Sequence, residues 1–429
     1  MSIATKFRRL VNLYKLAWAG DRLDQLETQL NLVRGELDAV NAMVGTAVAE
    51  LQSQVDQVRG ETARQVDQVR GETARIESQV KIVTQEHEDL TRTVLTRAIA
   101  FRTKRLIVFL TPGYEWRAGG VLSIAAIYQE SAALRHLHRA RVVLCTVPGD
   151  PLLLKYTWFE NNNYMLDLES VLKRCRHLDY LLLHIPEYAV NQVTDWLTSA
   201  SPTLVQNVRE LHLNVMLQNI DLVQGQNVSG LMRFGRVTCT TAHEAYTNSA
   251  TREALGVSVH RLSVCTGPEC YSLSGYQEKE PLLVVSHDEH PLKEQVLLHI
   301  AQAFPDLRIQ VVQNLHYEDY RKLIRRAKWS LTFGEGLDAY FVEQVWSGGV
   351  AFAVFNDRYF TPAFAELETV YPSWEVLMDM ITTDIQRLDE PVAYTRCWRQ
   401  AYDLARDLGS IDWFRENLRK FYRGEYTFP

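Results

Sequence analysis

WSLTFGEGLDAYFVEQVWSGGVAFAVFND, residues 329–357, joins two apolar runs through a glycine-rich loop and an aromatic-rich helical stretch. A short apolar run on each side of a helix is typical of parallel strands that are buried on both faces. The segment therefore predicts a β-α-β unit, the building block of an α/β fold. Within it, Glu335 in the loop and Glu343 in the helix stand eight positions apart, a little over two helical turns.

Strand and helix patterns alternate in the same way over most of the chain. One series starts with RLIVFL (105–110) and runs to about residue 246, and a second starts near residue 281. Two Rossmann-like units in tandem leave a cleft between them, and open parallel sheets bind ligands beyond the carboxyl ends of their strands. We therefore expect the functional side chains in the loops that follow strands.

Several candidate side chains occupy such positions. The strand in DYLLLHIPEY is predicted to end at His184. A histidine at a strand end is also a common structural residue, so both roles stay open for the histidines. A predicted helix opens at a glycine pair, and its N-terminus is suited to an anion. The candidates are His184, His243, His287, Lys293, Glu335 and the pair Gly119 and Gly120.

A different pattern occupies residues 22–97. From Leu23 to Val83, apolar residues recur in steps that mostly alternate between three and four, which indicates a coiled-coil seam. VDQVRGETAR occurs twice, at 55–64 and 66–75, and this 11-residue period predicts a nearly straight rod. One helix cannot bury such a stripe alone. We expect self-association, as a dimer or a trimer, or a helical partner.

Composition and charge exclude several protein classes. The formal net charge of −6 argues against a general nucleic-acid binder, and the six cysteines form no CxxC pair, which favours a reducing compartment. Cys265 and Cys270 lack a second cluster that would complete a metal site. No apolar run is long enough to span a bilayer, and residues 1–21 lack a secretory pattern. They predict an amphipathic helix, for which two roles stay open: a solvated helix that leads into the coiled coil, or one that lies on an anionic membrane surface.

The segment FGEGLDAYFVE (333–343) resembles the E-x7-E motif of retaining glycosyltransferases of family 4. The resemblance covers roughly residues 104–425 and implies the GT-B fold, two facing Rossmann-like domains, here preceded by the coiled coil. It places the acceptor-side domain at 104–275, the nucleotide-sugar domain at 280–400, and closing helices that cross back to the first domain at 401–429. SGG (347–349) matches the glycine turn after the motif helix.

The resemblance also implies roles for individual residues. Glu335 would contact the transferred sugar, with His184 as a second catalytic candidate, and Glu343 would hydrogen-bond the ribose hydroxyls of the donor. Lys293 would neutralise the diphosphate. The implied donor-binding residues are Lys293, Glu343, Gly336, His287, Gly119 and Gly120. Neither a metal nor another cofactor is expected, since protein cations would stabilise the leaving diphosphate and no DxD-like motif is present.

The chain departs from the family pattern at three positions. No arginine precedes Lys293, where the sequence has only His287 and His290. Val350 replaces the usual proline after the glycine turn, and Asp338 stands where glycine is common. The missing arginine puts the affinity for diphosphate in question.

The resemblance implies an enzyme that transfers a hexose-type sugar from a nucleotide-sugar donor to a glycan or lipid-linked acceptor, with retention. We expect a role in bacterial surface polysaccharide synthesis, such as a capsule or an O-antigen-like glycan, in the cytoplasm or at the inner face of the cell membrane. Two alternatives remain. One is a coiled-coil scaffold with a degenerate GT-B domain, and the other is a nucleotide-sugar epimerase.

Overall fold

The computed structural model describes residues 5–6, 8–9, 23–99, 102–115, 119–159, 161–175, 177–199, 207–263, 267–408 and 410–429. The chain divides into two compact units, Met1–His87 and Glu88–Pro429. The strands are β1 (Arg105–Thr111), β2 (Arg141–Thr146), β3 (Met165–Leu166), β4 (Tyr180–Pro186), β5 (Leu211–Leu217), β6 (Arg236–Thr241), β7 (Ser258–Arg261), β8 (Glu280–Val285), β9 (Arg308–Val311), β10 (Ala327–Leu331), β11 (Val350–Val354) and β12 (Val370–Tyr371).

The helices alternate with the strands along most of the chain. They are α1 (Leu23–Arg97), α2 (Gly119–Ala133), α3 (Arg135–His138), α4 (Leu168–Arg174), α5 (Val190–Ser199), α6 (Ser249–Leu255), α7 (Lys293–Ala303), α8 (Tyr317–Arg326), α9 (Ala339–Trp346), α10 (Trp374–Leu388), α11 (Pro391–Asp407) and α12 (Ile411–Arg423).

The first sheet has seven parallel strands in the order β3-β2-β1-β4-β5-β6-β7. Its first six positions follow the doubly wound Rossmann order, in which the direction of winding reverses between β1 and β4. The central strands are buried on both faces: Leu106 to Leu110 of β1 have no solvent exposure. This explains why their sequences read as continuous apolar runs.

The second sheet has five parallel strands in the order β12-β11-β10-β8-β9. Counted from β8, this is the flavodoxin-like doubly wound order, and its winding reverses between β8 and β10. The α/β fold class with two Rossmann-like sheets is therefore confirmed.

Three short strands, β3, β7 and β12, were not predicted, because two to four residues carry too little pattern. The predicted end of β4 was wrong, since the strand continues past His184 to Pro186. A proline is tolerated there because it is the last residue of the strand.

The C-terminal helix α12 packs against the first sheet and its helices. Arg415 donates two hydrogen bonds to the Glu130 carboxylate, at 2.9 and 2.7 Å. The Tyr422 hydroxyl donates to Ser131 Oγ at 2.7 Å. The helix thus covers the first sheet, while the predicted domain boundaries stay predictions.

The helix α1 is continuous over 75 residues and carries the predicted apolar seam. Its duplicated sequence repeats the same contacts. Gln57 donates to Glu61 and Gln68 to Glu72, at 3.0 and 3.1 Å, and the hydroxyls of Thr62 and Thr73 each donate to the carbonyl four residues earlier at 2.8 Å. Seam side chains such as Leu30, Leu51 and Val83 are more than 60% exposed. The pairing of this helix in a coiled coil stays a prediction.

The predicted amphipathic helix at 1–21 lies outside the described residues, apart from 5–6 and 8–9. Within the described part of the chain, no helix combines the length and the apolar character that a bilayer span requires.

Candidate functional site

The loops after β8 and β10 form the candidate site, since the second sheet reverses its winding between these two strands. Ligands of doubly wound sheets bind at such a point. The two loops are in close contact. A Cβ on Gly334 in the β10 loop would lie 2.8 Å from Asp288 Oδ2 in the β8 loop. Topology alone therefore selects the segments that hold His287, Lys293 and Glu335.

Glu335 faces the first sheet across the cleft. Asn219, two residues after β5, donates from Nδ2 to Glu335 Oε1 at 2.5 Å. Asn219 Oδ1 in turn accepts from the Tyr359 hydroxyl at 2.8 Å, and the same hydroxyl lies 3.2 Å from Asp221 Oδ2. Arg358 forms an ion pair with Asp221. The carboxyl ends of the two sheets thus meet at Glu335.

Glu187 fixes the position of Asn219. Its side chain is buried, and its Oε1 accepts from the Asn219 backbone N–H at 3.1 Å. Burial raises the pKa of Glu187 to about 7, although backbone hydrogen bonds oppose the shift. Glu187 therefore positions the residue that contacts Glu335.

Several carboxyl groups lie close together in the cleft, and their charges alter one another's pKa values. Burial raises the pKa of Glu335 to about 8, and the negative charges of Asp338, Asp288, Asp221 and Glu187 add to the shift. Burial also raises the pKa of Asp338 to about 7, against the hydrogen bond that it accepts from Thr332. Around neutral pH, Glu335 therefore retains its proton in a large fraction of molecules.

Lys293 is the first residue of α7 and is buried. Its Nζ donates to the Asp288 carbonyl oxygen at 2.8 Å and lies 5.8 Å from the centre of the Phe333 ring. The ammonium group is thus anchored between the two loops. This position suits a cation that neutralises an anion bound at the loop edge.

Glu343 lies in the second turn of α9 and is buried under two tyrosines. The Tyr317 hydroxyl donates to Glu343 Oε1 at 3.1 Å, and the Tyr271 and Tyr317 hydroxyls bond each other at 2.9 Å. Glu343 Oε2 is buried and, within the part of the chain that the structure describes, receives no hydrogen bond of ordinary distance and angle. Burial raises the pKa of this carboxyl to about 7, and the two tyrosine hydroxyls oppose the shift.

Two glycines fix the backbone around the motif. Gly336 has φ 89°, in the left-handed region, and a Cβ there would lie 2.5 Å from the Phe360 ring and 2.9 Å from the Val354 carbonyl oxygen. Gly348 has φ 86°, and a Cβ there would meet the Ser274 carbonyl oxygen. The glycines are therefore required by backbone conformation and close packing. Gly336 contributes to the site by shaping the loop.

The structure corrects the placement of His184. The residue lies inside β4 with no solvent exposure, its ring stacks on Phe109 at 4.1 Å, and its Nδ1 is 3.0 Å from Asn214 Nδ2. Burial lowers its pKa well below the usual value. A side chain enclosed in this way cannot exchange a proton with a substrate in the cleft. His184 therefore has the surroundings of a structural residue.

The other predicted residues are spread around the cleft. His243 follows β6 and packs near Tyr246 and Tyr359, and burial lowers its pKa to about 4. His287 Nδ1 lies 3.1 Å from the Tyr340 hydroxyl. The close approach of Gly120 to the Gln218 side chain packs the start of α2, which begins at Gly119, against the loop after β5. Cys265 lies outside the described residues.

A cavity of 360 Å³ opens beside the β10 loop. It was not predicted, because it depends on how two loops and the start of a helix approach one another. The residues that line it come from the loops after β10 and β11 and from the start of α10. They are Thr332, Gly334, Gly336, Val354, Phe355, Asn356, Asp357 and Trp374.

Sequence reasoning also missed the groups that contact the two glutamates or hold their partners in place, namely Asn219, Tyr359, Glu187, Tyr271 and Tyr317. Asn219 and Glu187 directly follow β5 and β4, so the rule that selected Glu335 would have found them if it had been applied to every polar residue. The tyrosines carried no such signal, since each lies far from its partner in sequence.

No family model and no curated protein sequence matches the chain. Among solved structures, it is similar to an α,α-trehalose-phosphate synthase (UDP-forming) from Burkholderia vietnamiensis, with 10% identity, a TM-score of 0.47 and coverage of 76% of this chain and 98% of that one. It is also similar to S. aureus MnaA in complex with UDP, with 11% identity, a TM-score of 0.42 and coverage of 75% and 98%. A third is WaaG, a glycosyltransferase involved in lipopolysaccharide biosynthesis, with 11% identity, a TM-score of 0.40 and coverage of 74% and 100%.

We predict that Glu335→Gln stabilises the protein more at pH 8.5 than at pH 5. The folded carboxyl keeps its proton up to about pH 8, whereas the unfolded one releases it near 4.5, so wild-type stability falls as the pH rises between these values. Glutamine fits the same space and cannot ionise. One pKa unit corresponds to about 1.4 kcal/mol, so the relative gain at pH 8.5 is expected to exceed about 1 kcal/mol.

Urea unfolding at the two pH values measures this difference. The matched control is Glu366→Gln, which changes an exposed carboxyl of the same sheet domain. An effect of Glu335→Gln that is equal at both pH values would show that the carboxyl is not held protonated.

Proposed function

We propose that the protein is a retaining glycosyltransferase of the hexosyl type that takes its sugar from a nucleotide-sugar donor. The observation that carries the proposal is the placement of two carboxyls, the half-buried Glu335 and the buried Glu343, on the loop and helix that follow β10 at the point where the sheet reverses its winding. Each has a polar partner and a raised pKa, which is common at functional sites.

In this proposal Glu343 binds the ribose. Its Oε2 is a buried acceptor with no hydrogen-bond donor among the described residues, and a ribose hydroxyl supplies the missing hydrogen bond. Tyr317, which donates to Oε1, closes over the same carboxyl and would lie beside the nucleoside. Lys293 and the N-terminus of α7 neutralise the diphosphate, whose departure is the costly step.

Glu335 contacts the transferred sugar. Its carboxyl already accepts one hydrogen bond from Asn219, so a sugar hydroxyl would join or replace that amide. Retention follows from the family resemblance, in which the leaving phosphate helps to deprotonate the attacking hydroxyl. No side chain is therefore assigned as the catalytic base.

The acceptor in this proposal is a glycan or a lipid-linked saccharide of a bacterial surface polysaccharide, reached at the inner face of the cell membrane. The basic and aromatic opening at 1–21 supports the membrane part, and the long helix α1 supports an oligomer that holds the enzyme domains at a distance from their attachment.

We predict that one nucleotide class among UDP, GDP, dTDP, ADP and CMP, or its sugar conjugates, raises the melting temperature of the wild type. A ligand at 100 times its Kd stabilises the folded state by about 2.7 kcal/mol. Glu343→Ala should abolish the shift, because the ribose loses its acceptor. The matched control, Asp379→Ala, removes an exposed carboxyl on α10 and should leave the shift intact. No shift for any nucleotide, or an equal shift in Glu343→Ala, would contradict the donor site.

We also predict that the protein is a dimer or a trimer through α1. The mass by sedimentation equilibrium should be two or three times 49.3 kDa. Introducing glutamate at Leu37, Val44 and Leu51 should yield the monomer, because like charges would then face one another along the seam.

The control for this experiment places glutamate at Ala39, Thr46 and Ser53, on the opposite face of the same turns, and should keep the oligomer. A monomeric wild type, or an oligomer that survives the seam substitutions, would show that α1 is not the interface.

A further inference from the structure

The polar groups of the 360 Å³ cavity beside Glu335 come from a different strand end than the proposed donor groups Lys293 and Tyr317. In the sheet, β10 stands between β8 and β11. Lys293 follows β8, and Tyr317 follows β9 beyond it, whereas Phe355, Asn356 and Asp357 of the cavity follow β11. Gly334 and Gly336 line the cavity and flank Glu335 in the chain. In strand order, the loop that holds Glu335 thus lies between the β8 and β9 ends, which carry these donor groups, and the β11 end, which carries the polar groups of the cavity.

The polar side chains of the cavity retain hydrogen-bonding capacity. Asn356 Oδ1 accepts from the Arg358 backbone N–H at 3.1 Å, while its Nδ2 donates to no group among the described residues. The exposed Asp357 carboxylate has no hydrogen bond or ion pair within the described part of the chain. An amide donor and a carboxylate acceptor are therefore adjacent and available, which suits a ligand with neighbouring hydroxyl groups.

Trp374 supplies an apolar surface. Its ring is 5.0 Å from the Phe333 ring and 4.1 Å from the His290 ring, and these two rings are 6.0 Å from each other. If the Phe333 and His290 rings lay on opposite faces of the indole, the distance between them would be nearly the sum of their distances from Trp374. Because they are closer, Phe333 and His290 do not sandwich Trp374, and Trp374 also lines the cavity.

We propose that this cavity binds one ring of a neutral saccharide, with its C–H face against Trp374 and its hydroxyls on Asn356 Nδ2 and the Asp357 carboxylate. An apolar surface combined with a few polar groups is the usual composition of a small-molecule site. The ring belongs to the glycosyl acceptor, an assignment that rests on the proposed function, because the polar groups of the cavity follow β11 whereas Lys293 and Tyr317 follow β8 and β9, and the cavity is lined by both chain neighbours of Glu335.

Saturation-transfer NMR tests the proposal with the methyl α-glycosides of glucose, mannose, galactose and N-acetylglucosamine at millimolar concentration. At least one glycoside should bind the wild type. The double variant Asn356→Ala/Asp357→Ala should bind it roughly tenfold more weakly or worse, since two hydrogen bonds are lost. The matched control, Gln302→Ala/Asp306→Ala, removes an exposed amide and an exposed carboxylate elsewhere in the same domain and should bind normally.

The outcomes separate this proposal from the donor site. Weakened binding in the double variant supports the cavity even when no nucleotide shifts the melting temperature, in which case only the proposed function fails. No binding by any glycoside, or equal binding in the double variant, overturns the cavity even when a nucleotide binds. Displacement of the bound glycoside by a nucleotide-sugar, but not by the free nucleotide, would assign the ring to the donor and overturn the acceptor part.

Discussion

The hydrogen bond from Asn219 to Glu335 joins the carboxyl ends of the two sheets, and the candidate site is arranged around it. Glu187 fixes the backbone of Asn219, and Tyr359 fixes its side chain. These contacts hold a carboxyl in a cleft where burial favours its protonated form. Parallel strands end at this edge in both sheets, so the fold brings together residues that lie 116 positions apart.

Charge is the main physical problem for a diphosphate donor in this cleft. Asp288, Asp221, Asp338 and Glu187 surround Glu335, and no arginine directly precedes Lys293, where the resembled glycosyltransferases carry one. Protonation of Glu335 around neutral pH removes one negative charge from the place where a phosphate would approach. Lys293, anchored on the Asp288 carbonyl, and the start of α7 then supply the positive potential.

The fold class was readable from the sequence because the central strands are buried on both faces and form continuous apolar runs. Burial on both faces also obscured the end of β4, since Leu181 to Pro186 are all buried and show no alternation of buried and exposed residues. His184 was therefore placed in a loop although it lies inside the sheet. Glu335 was located correctly at a strand end because glycines on both sides break the apolar pattern. The Asn219 contact, the tyrosines over Glu343 and the cavity depend on distant segments, which a single sequence does not bring together.

NMR of the protein with the nucleotide-sugar of the class that stabilises it tests the central claim most directly. In long incubations, the account predicts that nucleoside diphosphate accumulates in step with loss of the donor, through slow transfer to water. The sugar should first appear with the anomeric configuration that it had in the donor. Release of nucleotide with inversion would contradict retention, and an isomerised sugar or an unchanged donor would contradict glycosyl transfer itself.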